Sequence, residues 1–184
     1  RSMSIAVLGD GGWGTTLAIH LHRLGHHVRW WGAFPDYAKV VNRRHENVKF
    51  LPGIRIPRTL CMTADLSRVV ESAQLVVLAA PSRYMRTVVW RLKSAHLGDN
   101  IFLSVAKGVE EASLKRMSEV ITEELGRVTF AALSGPNIAV EIAKGHPASS
   151  VVASTHTETA AQVQRYLMSD RLRIYTSTDV IGVE

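Results

Sequence analysis

The 184-residue chain is short of several things, and each shortage excludes a class of protein. A single cysteine, Cys61, rules out an intramolecular disulfide, and no Cys/His cluster has zinc-ligand spacing. Uncharged apolar runs such as Leu75–Ala80 are of strand length, far below the ~20 residues that span a bilayer. No Gly-x-x-x-x-Gly-Lys-[Ser/Thr] occurs, which argues against a P-loop nucleotide site. Nothing resembling a secretion leader opens the chain. Arg1-Ser2 ahead of Met3 reads as an expression scar, so the native start is expected at Met3. One thiol and no leader together predict a reducing, cytoplasmic setting.

Hydrophobic residues make up 46% and charged residues 21%, a globular balance that excludes collagen-like and low-complexity chains. Twenty-two Lys and Arg against sixteen Asp and Glu give a net charge of +6. The basic residues are scattered, with no run of five, so no nucleic-acid partner is predicted. An anionic small molecule fits this charge equally well. His20, His22, His26 and His27 invite a metal reading, but Gly25 should end the helix that would align them, and no carboxylate or cysteine completes a set.

Apolar runs alternate with amphipathic stretches almost from end to end. The strand candidates are Ser4–Leu8, His27–Trp31, Leu75–Ala80, Ile101–Ala106 and Val128–Leu133, with weaker ones at Leu60–Thr63, Ser149–Ala153 and Arg173–Thr176. Helical spacing covers Trp13–Leu24, a segment opened by Pro35-Asp36, Leu66–Ser72, Tyr84–Leu92, Leu114–Leu125, Asn137–Lys144 and Thr157–Met168. Asn47–Arg58, with two prolines and Gly53, is expected to be the longest irregular region. The alternation predicts one α/β domain over residues 3–184: a doubly wound, mostly parallel Rossmann-type sheet with helices on both faces.

The sharpest motif is Gly9-Asp10-Gly11-Gly12-Trp13-Gly14, a G-x-G-x-x-G directly after an apolar strand and opening a helix. Gly9 permits the tight turn, Gly11 lets backbone approach a pyrophosphate, and Gly14 lets helix and strand pack closely. Free N–H groups and the helix dipole would hold the phosphates. The acid that such a site normally carries about 20 residues on is missing. The second strand ends Trp30-Trp31-Gly32-Ala33-Phe34-Pro35-Asp36, and Asp36 is expected in the first helical turn. With neither an acid nor an obvious arginine at that tip, the site should discriminate NAD from NADP poorly, by less than about tenfold.

Three further segments follow strands at the edge where open α/β sheets bind ligands. These are Ala80-Pro81-Ser82, Val105-Ala106-Lys107-Gly108-Val109-Glu110, and Leu133-Ser134-Gly135-Pro136-Asn137-Ile138-Ala139-Val140-Glu141. Lys107 reads either as an anchor for a phosphate or substrate oxygen, or as a lone surface lysine. Asn137 reads either as a ligand contact or as a helix cap.

The glycine motif with its continuation Thr15-Thr16-Leu17-Ala18, the Lys107-Gly108-Val109-Glu110 segment, Ser134–Glu141 and the terminal Asp179-Val180-Ile181-Gly182-Val183-Glu184 resemble NAD(P)-dependent glycerol-3-phosphate dehydrogenases in order and spacing. The likeness runs from Met3 to Glu184 and covers that family's cofactor-binding half. It implies interconversion of dihydroxyacetone phosphate and sn-glycerol 3-phosphate with NAD or NADP, feeding phospholipid biosynthesis. By motif position, Gly9, Gly11, Gly12, Trp13, Gly14, Ala33, Phe50, Pro81, Lys107 and Ala139 would contact the cofactor, and Lys107, Gly135 and Asn137 the substrate. Ala33 stands where many members carry a basic residue or histidine. The resemblance also implies a proton-transferring lysine beyond Glu184, a C-terminal helical domain and a possible homodimer, so no catalytic residue is expected within this chain. Another two-domain hydroxyacid dehydrogenase and a non-catalytic dinucleotide sensor stand as the alternatives.

Overall fold

A computed structural model describes residues 1–134 and 139–184, so the predicted substrate contacts Gly135 and Asn137 lie outside the described residues. Strand and helix alternate from the start: β1 (Ser4–Leu8), α1 (Gly12–Arg23), β2 (His27–Trp31), α2 (Pro35–Arg44), β3 (Glu46–Asn47), β4 (Leu51–Arg55) and β5 (Met62–Thr63). Then come α3 (Leu66–Val70), β6 (Leu75–Leu78), α4 (Ser82–Arg91), β7 (Ile101–Ser104), α5 (Met117–Leu125) and β8 (Thr129–Ser134). The last are α6 (Ala139–Ala143), β9 (Ala148–Ala153), α7 (Thr157–Leu167), β10 (Leu172–Ser177) and α8 (Val180–Val183).

Eight strands form one sheet in the order β10-β9-β8-β7-β6-β1-β2-β5, while β3 and β4 pair separately. Neighbours run parallel except at β8/β9, where the last two strands reverse direction. The six strands from β5 to β8 therefore carry the 3-2-1-4-5-6 order of a dinucleotide-binding sheet, with its switch point between β1 and β6. The predicted doubly wound, mostly parallel sheet is the one observed.

The central strands are apolar throughout because both faces are covered. On one face Ile5, Val7, Val77 and Leu103 pack with Leu17 and Leu21 of α1 and Val163 and Leu167 of α7. On the other, Ala6, Leu8, Val76, Leu78 and Phe102 meet Met85 and Val89 of α4 and Val120 and Ile121 of α5. Trp30 enters the first layer and Trp31 the second, as alternation along β2 requires. Helix α1 stops where expected. Gly25 is left-handed at φ +90°, its N–H donates to the His22 carbonyl, and the His26 N–H reaches back to Leu21 at 3.2 Å. That pair of bonds is a Schellman motif, which satisfies the last carbonyls of the helix.

Several expectations need correction. Asn47–Arg58 is not the longest irregular region, since β4 lies within it and Pro52 is tolerated in a two-stranded ladder. The longest described stretch without helix or strand is instead residues 105–116. The helix expected from Leu114 begins at Met117, where the Glu119 carboxylate reaches back to accept a 2.8 Å bond from the Arg116 N–H. Leu114 is left-handed and 75% exposed. Leu24 and Met168, the last residues of their expected helical spans, are both exposed. Among the described residues no helix is long and apolar enough to cross a membrane.

Candidate cofactor site

The β ladders set Leu8, Leu78, Ser104 and Ala132 side by side at the carboxyl edge of the sheet. The loops after β1, β6 and β7 therefore leave the sheet in a row. Helix α1 starts at this edge with no acid in its first turn and no side-chain cap. Its earliest intrahelical bond runs from the Thr15 N–H to the Gly11 carbonyl at 3.0 Å.

The three motif glycines have separate reasons. A Cβ on Gly9, which sits at φ +139°, would lie 2.7 Å from the Ala79 carbonyl carbon and oxygen. One on Gly14 would lie 2.6 Å from the Gly9 carbonyl oxygen. These two let the β1 and β6 loops and α1 come together. Gly11 differs, since its backbone is an ordinary extended one (φ −67°, ψ 178°) and an added Cβ would meet nothing within 4 Å. Neither packing nor dihedral requires a glycine there. The open space beside it leaves room for a ligand to approach the backbone from outside.

The loop's carbonyls are all tied inward. The Trp30 indole N–H donates to the Gly9 carbonyl at 2.8 Å, Asn47 Nδ2 to the Asp10 carbonyl at 2.7 Å, and Thr15 Oγ1 to the Gly11 carbonyl at 2.7 Å. In a trans peptide the carbonyl and the next N–H point opposite ways. Anchoring the Asp10 and Gly11 carbonyls thus turns the N–H groups of Gly11 and Gly12 outward. The result is a concave row of donors at the positive end of α1.

Beside it, Asp10, Phe34, Tyr37, Val40, Arg44, Lys49 and Phe50 are among the residues lining a cavity of about 690 Å³ beyond the end of β2. Tyr37 and Phe50 meet edge to face with ring centroids 6.2 Å apart, and Lys49 Nζ lies 4.7 Å from the centre of the Tyr37 ring. Such walls suit a flat heteroaromatic ring with a polar rim. Burial pushes the Asp10 carboxyl above its ordinary value, against the opposing pull of its own backbone N–H and of Lys49.

The predicted contacts fall into groups. Gly9, Gly11, Gly12, Trp13 and Gly14 form the loop and first turn, and the Phe50 carbonyl oxygen lies 3.1 Å from where a Gly12 Cβ would be. Ala33 is exposed just past the end of β2. Pro81 is exposed at the start of α4, next to the Ala79-Ala80 backbone that abuts Gly9. Ala139 opens α6, and its carbonyl accepts a 3.3 Å bond from Thr16 Oγ1 of α1. Lys107 is exposed three residues past β7, with no hydrogen bond or ion pair among the described residues. Its loop is held from behind. Arg86 of α4 grips both Glu110 carboxylate oxygens, at 2.8 and 2.9 Å, and reaches Glu123 and Glu124 of α5, each at 2.9 Å. Arg86 holds the Glu110 carboxyl below its usual range.

Sequence reasoning missed four parts of this site: the indole of Trp30, the buried hub Asn47, the Arg86–Glu110 brace and the location of Asp10. Only Asp10 carried a signal, being the one charged residue inside the glycine motif. The clustered histidines diverge, His20 to the Leu167 carbonyl, His22 to Thr59 and His26 to the Tyr166 carbonyl.

Comparison with known proteins agrees with this geometry. The family model described as NAD-dependent glycerol-3-phosphate dehydrogenase N-terminus matches residues 4–160. A glycerol-3-phosphate dehydrogenase [NAD(P)+] of Chlorobium phaeobacteroides is 42% identical over 185 residues, covering 99% of this chain and 55% of that protein. One from Moorella thermoacetica is 43% identical over 181 residues, covering 98% and 54%. The crystal structure of glycerol-3-phosphate dehydrogenase from Coxiella burnetii superposes with a TM-score of 0.92 at 32% identity, covering 100% of this chain and 56% of that one. The chain thus spans about half the length of the relatives it matches. By sequence and by fold alike, it belongs to the NAD-dependent glycerol-3-phosphate dehydrogenase family, to whose N-terminal part it corresponds.

Proposed function

We propose that residues 3–184 are the dinucleotide-binding domain of a cytoplasmic NAD(P)-dependent glycerol-3-phosphate dehydrogenase. The whole protein interconverts dihydroxyacetone phosphate and sn-glycerol 3-phosphate and so supplies phospholipid biosynthesis. The observation that carries this reading is Gly11, a glycine needed by neither packing nor backbone, set among outward N–H groups at the sheet's switch point. A nicotinamide cofactor bound at this edge would supply the hydride chemistry at the substrate's C2. The outward N–H groups of Gly11 and Gly12 hold the pyrophosphate with the α1 dipole behind them. Lys107, on a loop braced by Arg86 and Glu110, offers a cation to the substrate phosphate or carbonyl oxygen. Gly135 and Asn137 complete the substrate side, and the proton-transferring lysine and helical domain belong to the half of the relatives that this chain does not span. A homodimer is the assembly expected of the whole protein.

Titration of the chain with NADH, followed by nicotinamide fluorescence, tests the reading. Gly11→Val should keep the far-UV spectrum and melting temperature while weakening NADH at least tenfold, because the added methyls occupy the phosphate approach. Equal affinity in a folded Gly11→Val protein overturns the assignment.

A further inference from the structure

Dinucleotide sheets of this order normally read the adenosine ribose with a carboxylate at the end of the second strand. This chain has Gly32 there. A Cβ on Gly32 would lie 2.4 Å from the Met62 sulfur, so any side chain at that position would have to displace the Met62 thioether of β5. A carboxylate nevertheless stands at that strand end. Asp10 Oδ2 is 3.4 Å from where the Gly32 Cβ would be, so Asp10 reaches across from the β1 loop to the tip of β2. Its side chain joins Phe34, Tyr37 and Phe50 in lining the cavity that extends from the glycine loop past β2.

We infer that Asp10 is the residue that determines cofactor specificity, taking the place of the missing strand-end acid: it accepts hydrogen bonds from the ribose hydroxyls of NAD and repels the 2′-phosphate of NADP. This rests on the dinucleotide-binding reading above and reverses the poor discrimination expected from the sequence.

Four charged residues line the cavity, and their placement decides between the two cofactors. Asp36, Arg44 and Lys49 are exposed, while Asp10 is half-buried. Exposed charges on long, mobile side chains are screened by water and salt. Arg44 stands in the last turn of α2, and Lys49 lies over the Tyr37 ring. A carboxylate fixed by a short side chain beside its own backbone loses little entropy on accepting two hydroxyls. The same fixity prevents it from withdrawing when a dianionic phosphate is brought against it, and Coulomb repulsion grows as water is excluded. Asp10, the half-buried one of the four, is the charge least screened by solvent at the tip of β2.

The test is paired titration of the chain with NADH and NADPH, in the wild type and in Asp10→Asn, which keeps shape and removes charge. The wild type should bind NADH more than tenfold tighter than NADPH. Asp10→Asn should cut that ratio at least tenfold, with NADH weakening and NADPH gaining. Asp10→Ser, which has room for a phosphate, should gain further in NADPH. Circular dichroism on each variant establishes that it is folded. A wild type that prefers NADPH, or a ratio within twofold of wild type in folded Asp10→Asn, overturns the inference and leaves the dinucleotide reading standing. Binding of neither cofactor by the wild type overturns both.

Discussion

At the scale of single residues, Asn47 organises the site without facing it. It is fully buried and its amide is used to capacity. Nδ2 donates to the Asp10 carbonyl at 2.7 Å and to Thr15 Oγ1 at 2.8 Å, while Oδ1 accepts from the Tyr37 hydroxyl at 2.5 Å and the Phe50 N–H at 3.3 Å. One side chain thus joins the glycine loop, α1, α2 and the segment carrying Phe50. Asn47→Ala leaves several of these groups without a partner. A loss of about 2–3 kcal/mol is expected by urea denaturation. At a temperature where the variant is fully folded, NADH affinity should still fall at least fivefold, because the Asp10 peptide is no longer fixed. A stability loss with unchanged affinity would reduce Asn47 to a packing residue. The role of Asn47 was not legible from the sequence, and Asp10 showed there only as the one charge inside the glycine motif. The glycines are readable because their chemistry is local, whereas Asn47 and Asp10 act on partners that only the fold brings near.

At the scale of elements, strand and helix positions were legible and several edges were not. His27–Trp31 and Ser4–Leu8 match the observed strands because their ends coincide with glycines. The strand expected over Leu75–Ala80 ends at Leu78, where the β1 and β6 loops come together at Gly9, a tertiary event invisible to periodicity. The brace on the Lys107 loop is likewise tertiary. Arg86→Ala should cost at most about 1 kcal/mol, since its ion pairs are partly exposed. Amide exchange over residues 105–116 should nonetheless rise several-fold, because Glu110 loses its clamp. Unaltered exchange there would show that the loop holds itself. A second element pair carries pH dependence. His20 of α1 donates to the Leu167 carbonyl at the end of α7. Burial pushes its pKa below the ordinary 6.5 against the pull of that carbonyl, with His26 and Arg23 adding to the depression. A depressed histidine is neutral in the folded state where the unfolded chain takes up a proton. Its effect is absent above about pH 6.5, and stability falls as pH drops below it, by at most about 1.4 kcal/mol per pH unit. Urea midpoints at pH 7.5 and 5.5 should differ in the wild type and differ less in His20→Gln. An equal difference in both proteins would assign the acid sensitivity to other groups.

At the scale of the whole molecule, the mostly parallel sheet and the helix layers on both its faces followed from where apolar runs and glycines fall along the chain. What periodicity could not supply was the direction of β9 and β10, since a short apolar run carries no sign of which way its strand lies. The assembled edge is also one-sided. Under the proposed function its donors and cavity take the dinucleotide, and on the side left for a substrate the described residues contribute the exposed Lys107 and little else. Reduction of a ketone requires the substrate carbon held against the nicotinamide and an acid supplying a proton to its oxygen. Among the described residues, the carboxylates near this edge are either braced structurally, like Glu110, or, under the proposed function, set away from the nicotinamide, like Asp10. General acid catalysis is worth ~10²–10⁴ in rate, and a cleft open to water weakens every electrostatic contact within it. The 184-residue chain should therefore bind NADH yet give no measurable NADH oxidation with dihydroxyacetone phosphate. Extending it by a C-terminal half taken from one of its relatives should restore turnover, and Lys107→Ala in that longer protein should lower kcat/KM at least tenfold. Steady turnover by the 184 residues alone would show that the proton donor lies among them, with Lys107 the first residue to suspect.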